Sequence, residues 1–202
     1  MKKANIKHSI TVYEVMKRGF DIIFCFIALI VVFPIILIFC IAIIIESPGR
    51  FLYSQKRIGK NMKCFTIYKL RSMYVDSEKD GPVWAEKEDP RITRIGRIMR
   101  KSRIDELPQL FNILKNDMSI VGPRPERPEF VEKFKDEIPA YEERFKVKSG
   151  LTGLAQVMGG YELTPQEKLE KDINYIKNRT FWLDLLIILK TVAVVLTGKG
   201  AR

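Results

Sequence analysis

The sequence predicts an α+β protein that is mostly helical, with a membrane helix near its amino terminus and a short β element. Three observations predict this fold class: an uncharged apolar run at residues 22–45, helical patterns over much of the remaining chain, and alternating strand-forming residues at 65–71. With 202 residues, of which 47% are hydrophobic and 29% charged, the chain is long enough for one packed domain and a membrane anchor.

The apolar run at 22–45 is long enough to cross a hydrocarbon core of about 30 Å. Pro34 lies near its middle and should kink the helix. Basic residues flank the run on both sides: Lys17 and Arg18 before it, and Arg50, Lys56 and Arg57 after it. Because a spanning helix normally has basic residues at one end, these flanks favour a re-entrant helix, although a spanning helix also tolerates proline. A cleaved signal peptide is shorter than this run.

The net charge of +11 indicates an anionic partner. Residues 91–103 contain many basic residues and no acidic one, and isoleucines recur there at helical spacing. This pattern predicts a basic amphipathic helix lying on an anionic membrane lipid surface, with the solvated face of a core helix as the alternative. Aromatic residues do not interleave with the basic ones, so no nucleic acid partner is expected.

The remaining pattern predicts mostly helices. We expect a loop at 76–90, helices at 105–115, within 126–144 and at 164–178, a glycine-rich segment at 149–158, and an apolar interfacial or core helix at 181–196. The cysteines, Cys25, Cys40 and Cys64, lack CxxC spacing and are expected to be reduced and buried. The single histidine, His8, lies in the polar amino-terminal tail, so neither a histidine-based zinc site nor a Ser-His-Asp triad is expected.

Asp105 and Glu106 are the first candidates for chemistry. They lie where a helix should begin, since Pro108 is tolerated only in a first turn, and Ser102 is placed to cap that helix. A helix amino terminus favours ionised carboxylates. An ionised aspartate is a competent nucleophile and a suitable magnesium ligand. The alternative is that both acids only stabilise the start of the helix.

Three further groups are candidates for binding phosphate. Arg124 lies between Pro123 and Pro125, and a rigid turn suits bidentate phosphate recognition. Lys69 and Arg71 are two residues apart on the predicted strand, so they share a face, with Arg57 nearby in sequence. Gln156 lies in the glycine-rich segment, which is neither a Walker motif nor a dinucleotide fingerprint. Taken singly, each group also fits an ordinary turn or a solvated surface.

Five ordered strings resemble the bacterial sugar transferase family, the monotopic phosphoglycosyl transferases. They are KRGFD at 17–21, FTIYKLRSM at 65–73, DELPQL at 105–110, DMSIVGPRP at 117–125 and GLTGLAQV at 150–157. The resemblance runs from about Tyr13 to the carboxyl-terminal helix. The ERPEF string at 126–130 resembles the branch that initiates exopolysaccharide or capsule repeat units. Ser149, Phe33 and Leu154 depart from the family pattern, which usually has Pro, Ser and Trp there.

The resemblance implies a re-entrant membrane helix broken at Pro34, with interfacial amphipathic helices that place the active site at the cytoplasmic face of the bacterial inner membrane. It divides the chain into an amino-terminal tail (1–16), the re-entrant helix with its basic flanks (17–48) and the catalytic domain (49–202). On this basis the protein is monotopic.

The resemblance also implies a two-step reaction with Mg²⁺ as cofactor. Asp105 attacks the sugar-bearing phosphate of a UDP-sugar, UMP leaves, and a polyprenyl (undecaprenyl) phosphate then takes the phosphosugar. Asp105 and Glu106 would hold the magnesium ion, and Arg124 would bind phosphate or nucleotide. This is the first membrane step of surface polysaccharide assembly, and several UDP-sugars fit it.

Three other functions remain open from the sequence. A membrane-anchored binding protein would not need Asp105 or Glu106. A glycosyl transferase that passes the sugar without its phosphate would release UDP instead of UMP. A structural subunit of a polysaccharide export complex is the third, and no sequence feature favours it.

Overall fold

The computed structural model describes residues 2–75, 77 and 89–197; for residues 2–11 and 161 it describes the backbone only. The described part of the chain is mostly helical, as the sequence predicted, and it has four short strands where the sequence predicted one short β element. The elements are α1 (Lys2–Glu46), β1 (Leu52–Ile58), β2 (Cys64–Leu70), α2 (Arg94–Ser102), α3 (Gln109–Leu114), β3 (Ser119–Val121), α4 (Pro128–Glu137), β4 (Gly150–Thr152), α5 (Leu154–Met158), α6 (Pro165–Asn178) and α7 (Phe181–Thr197). Short 3-10 turns lie between them, at Lys60–Met62, Ile104–Glu106, Tyr141–Lys146 and Gly160–Glu162.

Helix α1 is the one helix in the described part of the chain that is long and apolar enough to cross a membrane, over Val12–Glu46. Most of its large apolar side chains are exposed, while a narrow stripe packs on the rest of the protein. Cys25 in this stripe joins a core cluster with Ile67 of β2, and Cys40 joins another with Leu70 of the same strand. Pro34 lies inside the helix between these two contacts.

Strands β1 and β2 form an antiparallel hairpin in which Lys69 pairs with Tyr53. The outer edge of β2 is paired by a side chain: the Asn112 amide nitrogen donates to the Thr66 carbonyl at 2.7 Å, and the Tyr68 amide donates to the Asn112 carbonyl oxygen at 3.2 Å. Asn112 is fully buried in α3, so it fixes the hairpin against that helix. This contact sets the position of Lys69 relative to the turn that precedes α3.

The basic helix α2 begins at a double cap. Thr93 accepts a hydrogen bond from the Gly96 amide, and the Glu46 carboxylate at the end of α1 accepts from the Arg94 amide at 2.7 Å and the Ile95 amide at 2.9 Å. Helix amino termini leave such donors unsatisfied, so the cap ties the end of α1 to the start of α2.

Strands β3 and β4 form a parallel pair with Ser119 opposite Gly150. A Cβ atom on Gly150 would lie 2.1 Å from the Gly122 nitrogen, and one on Gly153 would lie 2.2 Å from the Gly122 oxygen. Only glycine fits such a close backbone approach. The glycine-rich segment is therefore explained by packing between two backbone segments.

Most of the predicted elements are confirmed, and three details are wrong. Cys25 and Cys40 are buried and all three cysteines are free, but Cys64 is exposed because it begins β2 at the edge of the hairpin. Helix α3 begins at Gln109 instead of residue 105. Ser102 does not cap it, because the Ser102 hydroxyl donates to the carbonyls of Ile98 and Met99. The loop predicted at 76–90 lies mostly outside the described residues.

Candidate active site

A cavity of about 1090 Å³ lies between the hairpin, α2, the turn before α3, the segment around Arg124, and helices α5, α6 and α7. Every binding or catalytic candidate predicted from the sequence lines this cavity: Arg57, Lys69, Arg71, Asp105, Glu106, Arg124 and Gln156. Residues more than 90 positions apart in the chain are thus brought to one concave surface. Such a cavity, lined by ionisable groups, is a candidate active site.

Asp105 and Glu106 lie in a 3-10 turn, Ile104–Glu106, that directly follows α2. Arg103 before them adopts a left-handed conformation (φ 60°), which ends α2 and redirects the chain. The Glu106 amide donates to the Arg103 carbonyl at 3.1 Å. The turn packs both acids inward, with 6% of Asp105 and 7% of Glu106 exposed. The predicted helix terminus is therefore replaced by a buried turn.

Glu106 is held by two cations. The Lys69 ammonium lies 2.9 Å from Glu106 Oε1. The Arg124 guanidinium donates from Nη2 to the same oxygen and from Nη1 to Oε2 at 3.4 Å. Burial alone would raise the pKa of Glu106, but Arg124 and Lys69 outweigh it and hold that pKa well below its usual range. Glu106 therefore stays ionised and holds Lys69 and Arg124 at its own carboxylate, which is next in the chain to Asp105.

Asp105 has a different environment. Its Oδ1 atom is buried and has no hydrogen-bond partner. The pKa of Asp105 is raised to about 6, because burial and the Glu106 charge, which raise it, outweigh the Lys69 charge, which lowers it. Most Asp105 carboxylates are therefore ionised at pH 7, and the Oδ1 oxygen, which no hydrogen bond occupies, is available as a nucleophile. Adjacent carboxylates with divergent pKa values are typical of acids with separate catalytic roles.

The other predicted binding residues, Arg57, Arg71 and Gln156, each donate a hydrogen bond to a backbone carbonyl. Arg57 donates from Nη1 to the Pro125 carbonyl at 3.4 Å and lies 3.8 Å from Glu126, and its burial lowers its pKa. Arg71 donates to the Ser47 carbonyl, at the exit of α1. The Gln156 side chain donates to the Leu151 carbonyl at 3.0 Å.

Sequence reasoning missed Arg144 and Asp172, which also line the cavity. Arg144 Nη2 lies 2.8 Å from Asp172 Oδ2, and both side chains are almost completely buried. Neither residue belongs to a recognisable motif, and both lie in charged stretches that read as solvated helix faces. Only the folded structure identifies them.

Part of the cavity lining is apolar. Helix α7 contributes Ile188, Val192 and Val195, and the hairpin contributes Leu52 and Tyr53. Elsewhere on α7, Trp182, Leu189 and Leu196 are exposed. The cavity therefore combines a cationic wall around two carboxylates with an apolar wall on a helix that also exposes apolar side chains.

Comparison with protein families gives a match to the bacterial sugar transferase model over residues 12–198. The chain belongs to this family. An Aeromonas hydrophila relative named UDP-N-acetylgalactosamine-undecaprenyl-phosphate N-acetylgalactosaminephosphotransferase is 47% identical over 95% of the chain. The chain spans 46% of that relative's length.

Two further relatives show the range of named activities. A Bacillus subtilis protein, provisionally named an undecaprenyl-phosphate N-acetylgalactosaminyl 1-phosphate transferase, is 57% identical over 65% of the chain and 74% of its own length. The UDP-glucose:undecaprenyl-phosphate glucose-1-phosphate transferase of Caulobacter vibrioides is 40% identical over 93% of the chain and 72% of its own length. These names describe the relatives.

The carboxylates of Asp105 and Glu106 fit a magnesium ion that would take its other ligands from substrate. The described part of the chain contains no group of three or more His, Cys, Asp or Glu side chains placed to hold a metal. Magnesium, however, is commonly bound by one or two carboxylates together with substrate phosphates. The buried Oδ1 of Asp105, which lacks a partner, and the neighbouring Glu106 carboxylate are such a pair.

Proposed function

We propose that this protein transfers a sugar-1-phosphate from a UDP-sugar to polyprenyl (undecaprenyl) phosphate, through a covalent phosphosugar on Asp105, and releases UMP. One observation carries the proposal: a buried Asp105, whose Oδ1 has no hydrogen-bond partner, lies beside a Glu106 that two cations contact, inside a cation-lined cavity. Family membership and the names of the relatives support the same reaction class.

In the first step, an Asp105 oxygen attacks the phosphorus that carries the sugar. The bond from this phosphorus to the bridging oxygen breaks, and the electron pair leaves with UMP. An anion attacking a diphosphate meets strong repulsion, which Lys69 and Arg124 are placed to offset because both are held at Glu106, the neighbour of Asp105 in the chain. Magnesium, when bound by Asp105 or Glu106 and the substrate, would supply further charge neutralisation.

In the second step, a phosphate oxygen of polyprenyl phosphate attacks the same phosphorus, and the bond to Asp105 breaks. The covalent intermediate divides one transfer between two anions into two displacements. The apolar wall on α7 suits the prenyl chain of this acceptor, since Val192 and Val195 line the cavity. Both substrates therefore reach the same carboxylate, one at the cationic wall and one along the apolar wall.

We also propose that α1 is re-entrant, with both ends on the cytoplasmic face of the inner membrane. Arg18 near one end of its apolar segment donates to the carbonyls of Ile113 and Leu114, and Glu46 at the other end caps α2. A straight helix would separate Arg18 from Glu46 by about 42 Å, more than the ~30 Å hydrocarbon core. Both ends nevertheless contact the same packed unit. A kink at Pro34 would let both ends of α1 contact this unit on one side of the membrane while the middle of the helix enters the hydrocarbon core.

The basic face of α2 and the exposed apolar residues of α7 support contact with an anionic membrane surface. Arg94, Arg97 and Lys101 lie along α2, which directly follows the cap by Glu46. Trp182 on α7 is 79% exposed, and indole rings favour the membrane interface. Such a surface would hold the cavity at the depth where a lipid phosphate emerges.

The reaction is tested by incubating the protein with Mg²⁺, undecaprenyl phosphate and a panel of UDP-sugars, and measuring UMP and UDP separately. UDP-N-acetylgalactosamine comes first, because two of the relatives carry that sugar in their names. We expect UMP with at least one donor and none with Asp105→Asn. Release of UDP would make the protein a glycosyl transferase, and activity retained in Asp105→Asn would refute the assigned nucleophile.

The topology is tested with single cysteines at Lys3 and Lys56, one on each side of the apolar run, after replacement of the three native cysteines. In intact cells, an impermeant maleimide should label neither position, and permeabilisation should expose both. Labelling of one position in intact cells would show that α1 spans the membrane.

A further inference from the structure

The ion pair between Arg144 and Asp172 is the most buried pair of opposite charges at the cavity, with 3% and 2% of the two side chains exposed. Burying two charges is costly, and their attraction offsets the cost only when further hydrogen bonds satisfy the remaining donors. A pair of this kind adds little to stability compared with apolar residues of the same volume. Its position at the cavity wall therefore calls for another explanation.

The other hydrogen bonds of Arg144 supply that explanation. Its Nη1 atom donates to the Tyr141 hydroxyl, and its Nη2 atom donates to the backbone carbonyl of Arg124 at 3.1 Å. Asp172 lies in α6, whereas Tyr141 lies in the same 3-10 turn as Arg144, so the guanidinium is held by its own turn and by one other element. Arg144 thus connects the packed core to the backbone of Arg124.

Arg124 links its own backbone, which Arg144 holds, to the carboxylate of Glu106. It lies between Pro123 and Pro125, whose rings restrict the backbone on both sides. Its guanidinium makes two hydrogen bonds to Glu106, the neighbour of Asp105. A small displacement of the Arg124 carbonyl would therefore move the guanidinium that faces the substrate phosphates, and displacements of this kind have large effects on rate.

We propose that Arg144, held by Asp172, is a positioning residue that fixes Arg124 in the geometry required for the phosphosugar transfer. The kinetic part of this inference rests on the proposed function. Arg144 acts through Arg124, so loss of Arg144 lowers activity only when Arg124 is present to be misplaced.

A double-mutant cycle separates this role from a purely structural one. Arg144→Lys keeps the charge beside Asp172 but loses the planar fork that reaches the Arg124 carbonyl. We expect Arg144→Lys to lower kcat/KM for UMP release about tenfold or more in the wild-type background, and less than about twofold in an Arg124→Lys background. Equal losses in both backgrounds would overturn the inference.

Val131→Ala is the matched control for loss of packing. Val131 is fully buried in the same core cluster as Tyr141 and does not line the cavity. This change should lower the melting temperature and leave kcat/KM within about twofold of wild type in both backgrounds. Tyr141→Phe removes only the bond to Nη1, so it provides a milder variant if Arg144→Lys does not fold, with a smaller loss in the same direction.

A chemical probe tests the inference without reference to turnover. Phenylglyoxal modifies accessible guanidinium groups, and peptide mass spectrometry resolves the rate at Arg124. We expect this rate to rise several-fold in Arg144→Lys and in Tyr141→Phe, and to stay unchanged in Val131→Ala. An unchanged rate in all three would refute the positioning role. If the wild-type protein released no UMP with any donor, the proposed function would fail and this labelling result alone would decide the inference.

Discussion

Replacing Asp105 with asparagine should stabilise the protein at neutral pH while abolishing its activity. In the folded protein, burial raises the pKa of this carboxyl from 3.8 to about 6. Since the folded pKa lies above the unfolded one, ionisation opposes folding: the folded state is favoured by the protonated acid, and this contribution is lost as the pH rises through 6. Asparagine carries no charge at any of these pH values.

The magnitude follows from the difference between the two pKa values. At about 1.36 kcal/mol for each pH unit, a rise from 3.8 to about 6 costs the ionised protein about 3 kcal/mol. For a chain of this size, the melting temperature of Asp105→Asn should exceed that of the wild type by roughly 6–12 °C at pH 8. The difference should shrink below pH 6 and largely vanish near pH 4.

The assay is thermal unfolding in lipid nanodiscs with EDTA, for wild type and variant, at intervals from pH 4 to pH 8. Glu106→Gln is the matched control. It should change the melting temperature in the opposite direction, because the pKa of Glu106 is held well below its usual range. Its ionised form is stabilising above the unfolded pKa, so Glu106→Gln should lower the melting temperature at neutral pH. An Asp105→Asn protein no more stable than wild type at pH 8, or a gain that does not change with pH, would refute the reasoning.

Three further predictions follow from the burial of Asp105 and the charges around it. The rate of UMP release should fall below pH 6, to about one tenth of its plateau at pH 5, because only ionised Asp105 attacks; a rate independent of pH between 5 and 8 would contradict this role. Lys69→Met should move the midpoint of that profile to higher pH, since the Lys69 charge lowers the pKa of Asp105; Lys56→Met, on the exposed side of β1, serves as the control. Magnesium should raise the melting temperature of wild type more than that of Asp105→Asn, and equal shifts would argue against a metal site at this carboxylate.

The sequence was sufficient to predict most of the helices, strand β2 and the candidate residues that line the cavity. Alternation at 65–71 predicted β2, the basic periodicity predicted α2, and Thr164 followed by Pro165 predicted the start of α6, where a capping box forms with Glu167. The cations at positions 57, 69, 71 and 124 were recognised as candidates because of their local context. These features depend on neighbouring residues, which sequence patterns report directly.

The sequence was not sufficient to predict the electrostatics of the site. Pro108 suggested that Asp105 and Glu106 begin a helix, but the left-handed Arg103 places them in a buried turn instead. Their divergent environments arise from contacts with Lys69 and Arg124, which lie 37 and 18 residues from Glu106. The Arg144–Asp172 pair is likewise a long-range contact between charged residues that look solvated in sequence. Such features depend on tertiary packing, which no local pattern records.

The central claim is that Asp105 carries the phosphosugar between donor and acceptor. The most direct measurement is the intact mass of the protein after mixing with Mg²⁺ and a UDP-sugar that supports turnover, in the absence of polyprenyl phosphate. We predict a mass increase of one sugar phosphate, an equimolar burst of UMP, no change in Asp105→Asn, and loss of the added mass when polyprenyl phosphate is supplied. UMP that forms only when polyprenyl phosphate is present, with no modified protein at any time, would contradict the account.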